Sequence, residues 1–415
     1  MSKVTDPVEI TIDELGGKGD GIAYHSGGSL YVPYALAGER VRVTPMGERG
    51  DLEDVITASP QRADPICPLF MTCGGCSMQH MDADLYGAWK ASLVRDALAS
   101  RGFDDVPINP LISTKPGGRR RAVLTARLIG RRLLFGYHEA RSNRVVDVDR
   151  CPLLVPALNA LLPRLADFLP LFVTKKNEAR ITMLATSSGV DLSLDDVKDM
   201  RNGQDYLKAV EMAETLDLAR LTANGDILLE RRPPLLSMGG AEVSPPPGAF
   251  VQAEESAELA MAKMVVDSIG DAKRVIDLFC GSGTFALRLA KKAQVWALES
   301  EDAAIKSLEK AWRFGNQLKG IKMERRDLFR RPLLAAEMKK FDALVFDPPR
   351  AGAKAQCEEI AKTHIPVVVA VSCNPGTLAR DLRILVDGGY KIASVTPVDQ
   401  FLYSPHVECV ATLTR

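Results

Sequence analysis

Polar and apolar residues alternate with period two along Val8–Ile12, Ser29–Val32 and Glu39–Val43. Alternation of this kind predicts short, half-buried strands. Glycine clusters at Gly16–Gly21 and Ser26–Gly28 supply the corners between them. A small β-barrel of the OB type is therefore expected at the N-terminus. The period then changes. Leu85, Trp89, Leu93 and Leu98 recur at helical spacing behind Asp82, an N-cap residue type, and predict a helix from Asp82 to Ser100. Alternation returns in Arg121–Leu128 and Arg132–Tyr137, a hairpin turning near Gly130.

A helix is expected from about Glu254 to Ser268, and after it the apolar runs become continuous. Runs starting at Arg274, Val295, the stretch before Asp327, Phe341 and Val367 read as five buried parallel strands. The first opens into a glycine turn and the next three end in acids, at Glu299, Asp327 and Asp347. The last, Val367–Val371, stops at Ser372, Cys373, Asn374 and Pro375, with a helix over Gly376–Val386. This is the pattern of a doubly wound α/β sheet, in which ligands bind beyond the carboxyl ends of the strands.

A chain of 415 residues exceeds one ordinary core, so several domains are expected. The rigid Ser244–Gly248 spacer precedes the α/β segment. The pattern divides as a β-domain over 1–59, a central α+β domain over 60–80 and 113–235, and the α/β domain over 81–112 and 236–415. No apolar run spans a membrane and the first residues carry no signal-peptide core, so a cytoplasmic, membrane-free protein is expected. Formal net charge is zero, so any nucleic-acid affinity must come from local clusters. One such cluster is Arg119, Arg120, Arg121, Arg127, Arg131, Arg132, Arg141, Arg144 and Arg150, interleaved with Phe135, Tyr137 and His138. Arginine beside aromatics makes a phosphate and base platform; a solvated sheet face is the plainer alternative.

Chemistry enters through three groups of residues. Cys67, Cys73 and Cys76, with the remote Cys151, form a four-cysteine set. In a reducing compartment such a set is read as metal-binding rather than disulfide-bonded. Gly74–Gly75 would permit the tight turn it needs, and spacing alone leaves zinc and an iron–sulfur cluster both open. The turn Phe279-Cys-Gly281-Ser-Gly283-Thr284 lets backbone N–H groups approach a ligand at a helix start, and Glu299, some twenty residues on, suits ribose hydroxyls. A nicotinamide enzyme would explain Glu299 but leave Asp327, the Pro348–Pro349 loop and Cys373 without work. Cys373, at a strand's carboxyl edge, is a candidate nucleophile; taken alone it reads equally as a small buried hydrophobe.

The motifs DLFCGSGTF, DPPRAG, VSCNPGTLARDL and the tail TPVDQFLYSPHVE resemble the uridine-C5 RNA methyltransferase family, over nearly the whole chain. YVPYALAGERVRV resembles a TRAM domain, an RNA-binding module. The resemblance implies a class I S-adenosylmethionine-dependent methyltransferase sheet, with an OB-like TRAM barrel and a central iron–sulfur domain. It implies methylation of C5 of a uridine, in 23S ribosomal RNA by the four-cysteine pattern, with transfer RNA as the alternative substrate. The cysteines would hold a 4Fe-4S cluster, with zinc as the lesser alternative. Phe279, Thr284, Glu299 and Asp327 would contact the cofactor, while Gln252 and Asp347 would line the cofactor and base pocket. Cys373 would be the nucleophile and Glu408 the base. The helix after Cys373 is expected to favour the thiolate through its N-terminal dipole. The family's Asn two residues after Gln252 is replaced here by Glu254. A monomer is expected. An adenine amino-methyltransferase would leave Cys373 idle, and a non-catalytic RNA-binding protein would leave both Cys373 and the strand-end acids idle.

Overall fold

The computed structural model describes residues 6–25, 27–200 and 203–415. Ser26, of the expected Ser26–Gly28 turn, and residues 1–5 of the expected N-terminal domain lie outside the described residues.

Six strands make the N-terminal sheet, in the spatial order Val8–Thr11, Arg40–Met46, Arg49–Thr57, Gly28–Val32, Gly21–His25, Glu14–Leu15. All but one of the pairings are antiparallel. The alternating positions point as expected: Val41 and Val43 are fully buried while Arg40 and Arg42 face solvent and share Glu9. Ile12, Ala23, Leu30, Val32 and Ala35 complete the small core.

The predicted helix runs Ala83–Ala99, with the Asp82 carboxylate accepting from Leu85 N–H at 2.8 Å. It joins two bodies. Trp89 donates to Gly16 O at 3.1 Å on the N-terminal sheet, while Val94 and Leu98 pack into the core of the α/β sheet.

A seven-stranded sheet forms the middle of the chain. Its order is Val145–Asp147, Arg132–His138, Arg121–Ile129, Ala179–Thr186, Gly189–Asp195, Leu218–Ala223, Asp226–Glu230. Gly130 makes the hairpin turn at φ 64°. Part of the arginine cluster is turned to internal partners. Arg120 is buried and bound to Glu258 at 2.6 Å. Arg119 and Arg121 donate to backbone carbonyls. Arg127 meets Glu178, and Arg141 meets Asp20. Phe135 is a core residue, 3% exposed. These acids come from distant segments, so a local reading of the sequence could not see them.

The third sheet has eight strands, ordered Ile321–Arg325, Gln294–Glu299, Arg274–Leu278, Ala343–Phe346, Val367–Ser372, Glu408–Thr414, Lys391–Asp399, Ile112–Ser113. The first five are the predicted parallel strands. Their order reverses between Arg274–Leu278 and Ala343–Phe346, which places a binding crevice at that switch point. The chain's last two strands, unassigned in the sequence reading, add an antiparallel hairpin beside Val367–Ser372. No helix among the described residues is long and apolar enough to cross a membrane.

Candidate active site

The carboxyl ends of two adjacent parallel strands, Ala343–Phe346 and Val367–Ser372, converge with the amino end of the antiparallel strand Glu408–Thr414. Phe346 pairs with Ala370, which sets Asp347 one strand from Cys373. Ser372 pairs with Cys409, so Cys373 comes level with Glu408 on the antiparallel strand. Cys373 is half-buried. Asn374 caps the helix Pro375–Asp387 through Gly376 N–H, and its side-chain amide donates to Arg350 O at 3.3 Å. The Asp347–Arg350 and Cys373–Thr377 loops are thereby tied together.

Two amides connect the acids. Gln252 Nε2 donates to Asp347 Oδ2 at 3.4 Å. Gln400 Nε2 donates to Gln252 Oε1 at 2.6 Å and to Glu408 Oε1 at 2.9 Å. Gln400 Oε1 accepts from Ala253 N–H at 3.1 Å. Gln252, Gln400 and Glu408 are all at most 4% exposed. Sequence reasoning quoted Gln400 within a motif but gave it no role. Its polar side chain, directly after the strand Lys391–Asp399, was the available signal.

The electrostatics differ from expectation at Cys373. Burial first, then the charges of Glu408 and Asp347, push its thiol up to about 11, with Arg350 opposing. The shift runs against the expected thiolate, and burial favours the thiol in the free protein. Desolvation pushes Asp347 up to about 7. Desolvation and the Asp347 charge push Glu408 up to about 8. Three acidic groups crowded into one poorly solvated pocket each disfavour ionisation of the next.

The crevice at the switch point is lined by the glycine turn. Phe279 and Gly281 take φ 61° and 53°. Gly283 takes φ 104°, and a Cβ there would stand 2.5 Å from Leu308 Cδ1. Gly281 N–H donates to Glu299 Oε2 at 3.1 Å, while Ser300 and Glu301 N–H groups hold Oε1. The Glu299 carboxylate is thus fixed before any ligand arrives. Thr284 follows the turn, and its carbonyl accepts from Arg288. Asp327 accepts from Phe329 and Arg330 N–H at 3.0 and 3.2 Å, and the Phe329 ring packs tilted against Phe279, with centroids 5.6 Å apart. Asp277, unassigned in the sequence, lies fully buried beneath the turn, its carboxyl held well above the usual range by desolvation. Glu254 caps the helix Glu255–Ser268 through Ala257 N–H at 2.7 Å, so in this chain the variant motif position is a helix cap.

Cys67, Cys73, Cys76 and Cys151 come together around one cavity, with Phe70, Tyr137 and Leu153 among its other walls. Among the described residues no group of three or more His, Cys, Asp or Glu is arranged to hold a single metal ion; the four thiols line a space rather than close on a point. Burial raises the Cys73 and Cys151 thiols and pushes Cys76 up to about 12. Gly74 and Gly75 lie in the expected turn between Cys73 and Cys76, neither with a positive φ, and Met71 takes φ 71°. Gly74 is needed for clearance, since a Cβ there would sit 2.7 Å from His138 O.

Comparison with known proteins agrees with this architecture. The profile of a family described as tRNA (Uracil-5-)-methyltransferase matches residues 243–415. An uncharacterised RNA methyltransferase of Agrobacterium fabrum is 45% identical over 98% of this chain and 99% of its own length. The 23S rRNA (uracil(1939)-C(5))-methyltransferase RlmD of Cronobacter sakazakii is 32% identical, over 98% of this chain and 96% of its own. The crystal structure of Pyrococcus abyssi tRNA (uracil-54, C5)-methyltransferase with S-adenosyl-L-homocysteine shares the fold at a TM-score of 0.76 and 23% identity, covering 98% of this chain and 99% of that one. The chain belongs to the RNA uracil-5-methyltransferase family and is an RNA methyltransferase.

Proposed function

We propose that this enzyme methylates C5 of a uridine in 23S ribosomal RNA, using S-adenosylmethionine, by covalent catalysis through Cys373. The observation that carries this reading is the level placement of Cys373 and Glu408 on adjacent strands, with Asp347 at the end of the strand on the other side of Cys373 and Gln252 and Gln400 bridging the two acids. The ribosomal substrate rests on the full-length relative named for 23S rRNA and on the four cysteines.

C5 of uracil is a weak nucleophile. Bonding of Cys373 sulfur to C6 sends the ring electrons toward O4 and makes C5 nucleophilic. S-Adenosylmethionine, when bound, supplies an electrophilic methyl group. Gln252, Phe279, Gly281, Gly283, Thr284, Glu299, Asp327 and Asp347 are the residues assigned to hold it, with Gln252 and Asp347 also facing the base. Once C5 carries the methyl, Glu408 takes the C5 proton. The C–H electrons restore the C5–C6 double bond, the C6–S bond breaks, and Cys373 leaves. A thiol near 11 must lose its proton in the RNA complex, and ionised Asp347 can accept it, which leaves Glu408 free for the C5 proton. The target base must leave its stack to reach this edge. The N-terminal sheet, read as a TRAM domain, and the exposed arginines of the central sheet would bind flanking RNA.

Cys67, Cys73, Cys76 and Cys151 are proposed to hold a 4Fe-4S cluster. Four thiols facing one cavity with apolar walls suit a soft, multi-iron group, and the cations would reverse the unfavourable ionisation of these thiols. Methyl transfer is redox-neutral, so a structural role is assigned. Ser77 and Met78, directly after Cys76, donate N–H groups to Tyr403 O in the loop before Glu408.

The test is transfer of labelled methyl to unmodified 23S rRNA and to tRNA, with nucleoside analysis, for wild type and Cys373→Ala. 5-Methyluridine in 23S rRNA from wild type alone is expected. The same nucleoside only in tRNA would overturn the substrate, and an active alanine variant would overturn the mechanism.

A further inference from the structure

The structure assigns Lys90 and Tyr86, on the helix Ala83–Ala99, as positioning residues that fix the loop 400–407 and through it the orientation of Glu408; this rests on the reading of Glu408 as the base.

The strands Lys391–Asp399 and Glu408–Thr414 form a hairpin in which Val398 pairs with Glu408. The loop therefore leaves at Asp399 and returns through His406 and Val407 to Glu408. Lys90 Nζ binds both ends of that loop. It donates to Asp399 Oδ1 at 2.8 Å, to Phe401 O at 3.4 Å and to His406 O. All three ammonium donors are committed to this one loop. Tyr86, one helical turn earlier, donates its hydroxyl to Asp399 Oδ2 at 2.6 Å and accepts from Tyr403 N–H at 2.7 Å, in the middle of the loop. Two side chains separated from their partners by more than three hundred residues thus grip the loop at its start, middle and end.

The Lys90–Asp399 ion pair is wholly buried, both side chains being 0% exposed. Removing two charges from water costs several kcal/mol per ion, and apolar packing of similar volume is commonly no less stable. Stability alone is thus a poor reason for an ammonium here. Geometry is a better one. The loop begins with Gln400, whose amide donates to Glu408 Oε1. A loop free to shift at either end would let Gln400, and with it the Glu408 carboxylate, leave the level of Cys373. A general base works only within hydrogen-bond reach of its proton. Lys90 also lies close enough to Glu408 to oppose its raised protonation.

The test uses full-length Lys90→Met, Tyr86→Phe and Glu408→Gln beside wild type, with 23S rRNA. Three quantities are read: S-adenosylmethionine affinity, covalent protein–RNA adduct on denaturing gels, and turnover. For Lys90→Met, cofactor affinity should stay within about twofold, turnover should fall by about tenfold or more, and adduct should accumulate, as for a misplaced base. Tyr86→Phe, which lacks one hydroxyl and keeps the packing, should show the same signature more weakly and decides the matter if Lys90→Met does not fold. Normal turnover in both variants would overturn the inference. So would parallel loss of cofactor binding, adduct and turnover in Lys90→Met beside a wild-type Tyr86→Phe. Adduct in Glu408→Gln but in neither of the other two overturns this inference alone. Normal turnover of Glu408→Gln overturns the reading of Glu408 as well.

Discussion

Gln400 donates one side-chain amide to both Glu408, at 2.9 Å, and Gln252, at 2.6 Å. The base assigned to the last step and the residue assigned to the cofactor and uracil pocket are therefore oriented by a single buried side chain. An amide suits this position because it has two N–H donors and an acceptor oxygen, which Ala253 N–H occupies.

Gln400→Leu keeps the volume and removes all three bonds. Buried groups on Gln252 and Glu408 are then left unsatisfied, which costs about 1–3 kcal/mol. Urea denaturation should show a loss of that order. Single-turnover assays should show slower product release from the covalent adduct than in wild type.

Glu408 also makes stability depend on pH. Its carboxyl rises from 4.5 to about 8 on folding. Between those values the folded chain keeps a proton that the unfolded chain has released. The contribution is fully present below pH ~4.5, falls as pH rises, and is lost above ~8, at about 1.4 kcal/mol per pH unit. Glu408→Gln abolishes this titration and should be more stable than wild type by about 3 kcal/mol at pH 7. Denaturation curves at pH 5 and pH 7 that diverge for wild type and coincide in this component for the variant are expected.

The same titration shapes activity. With Asp347 near 7 and Glu408 near 8, the ionised base population grows from neutral pH upward. The pH profile of kcat/KM should rise between about pH 7 and 9. A profile flat across that range would remove Glu408 from proton abstraction.

Glu258 latches the central sheet to the catalytic sheet. It is 1% exposed and binds Arg120 and Arg288, each at 2.6 Å. Arg120 Nε also holds Gln252 O, and Arg288 holds Thr284 O. Glu258→Ala strands two buried guanidiniums and should cost about 3–5 kcal/mol. Cofactor affinity, measured calorimetrically, should weaken in parallel, because both arginines lead to residues assigned to that site.

The cysteine cavity predicts metal content. Anaerobically purified wild type should contain iron and acid-labile sulfide in equal amounts, with little zinc. Cys76→Ala should lose both together. Gly74→Ala, which forces a Cβ against His138 O, should lower the cluster content without removing any thiol.

The alternating N-terminal strands, the helix behind Asp82, the hairpin at Gly130 and the five parallel strands were legible in the sequence, because period, capping and glycine turns are local. So was Cys373 at a strand's edge: an apolar run that stops at Ser-Cys-Asn-Pro declares its own end. Tertiary structure decided what lies beside that edge. The final hairpin inserts antiparallel next to the Cys373 strand, and only this register brings Glu408 level with the thiol. Arg120 and Arg121 turned inward because their acceptors, Glu258, Gly248 and Ala249, belong to segments more than a hundred residues away. Nothing local in the sequence marks Lys90 for burial, for the same reason. A local window shows that a charge exists; the partner that allows its burial arrives only when the chain has folded.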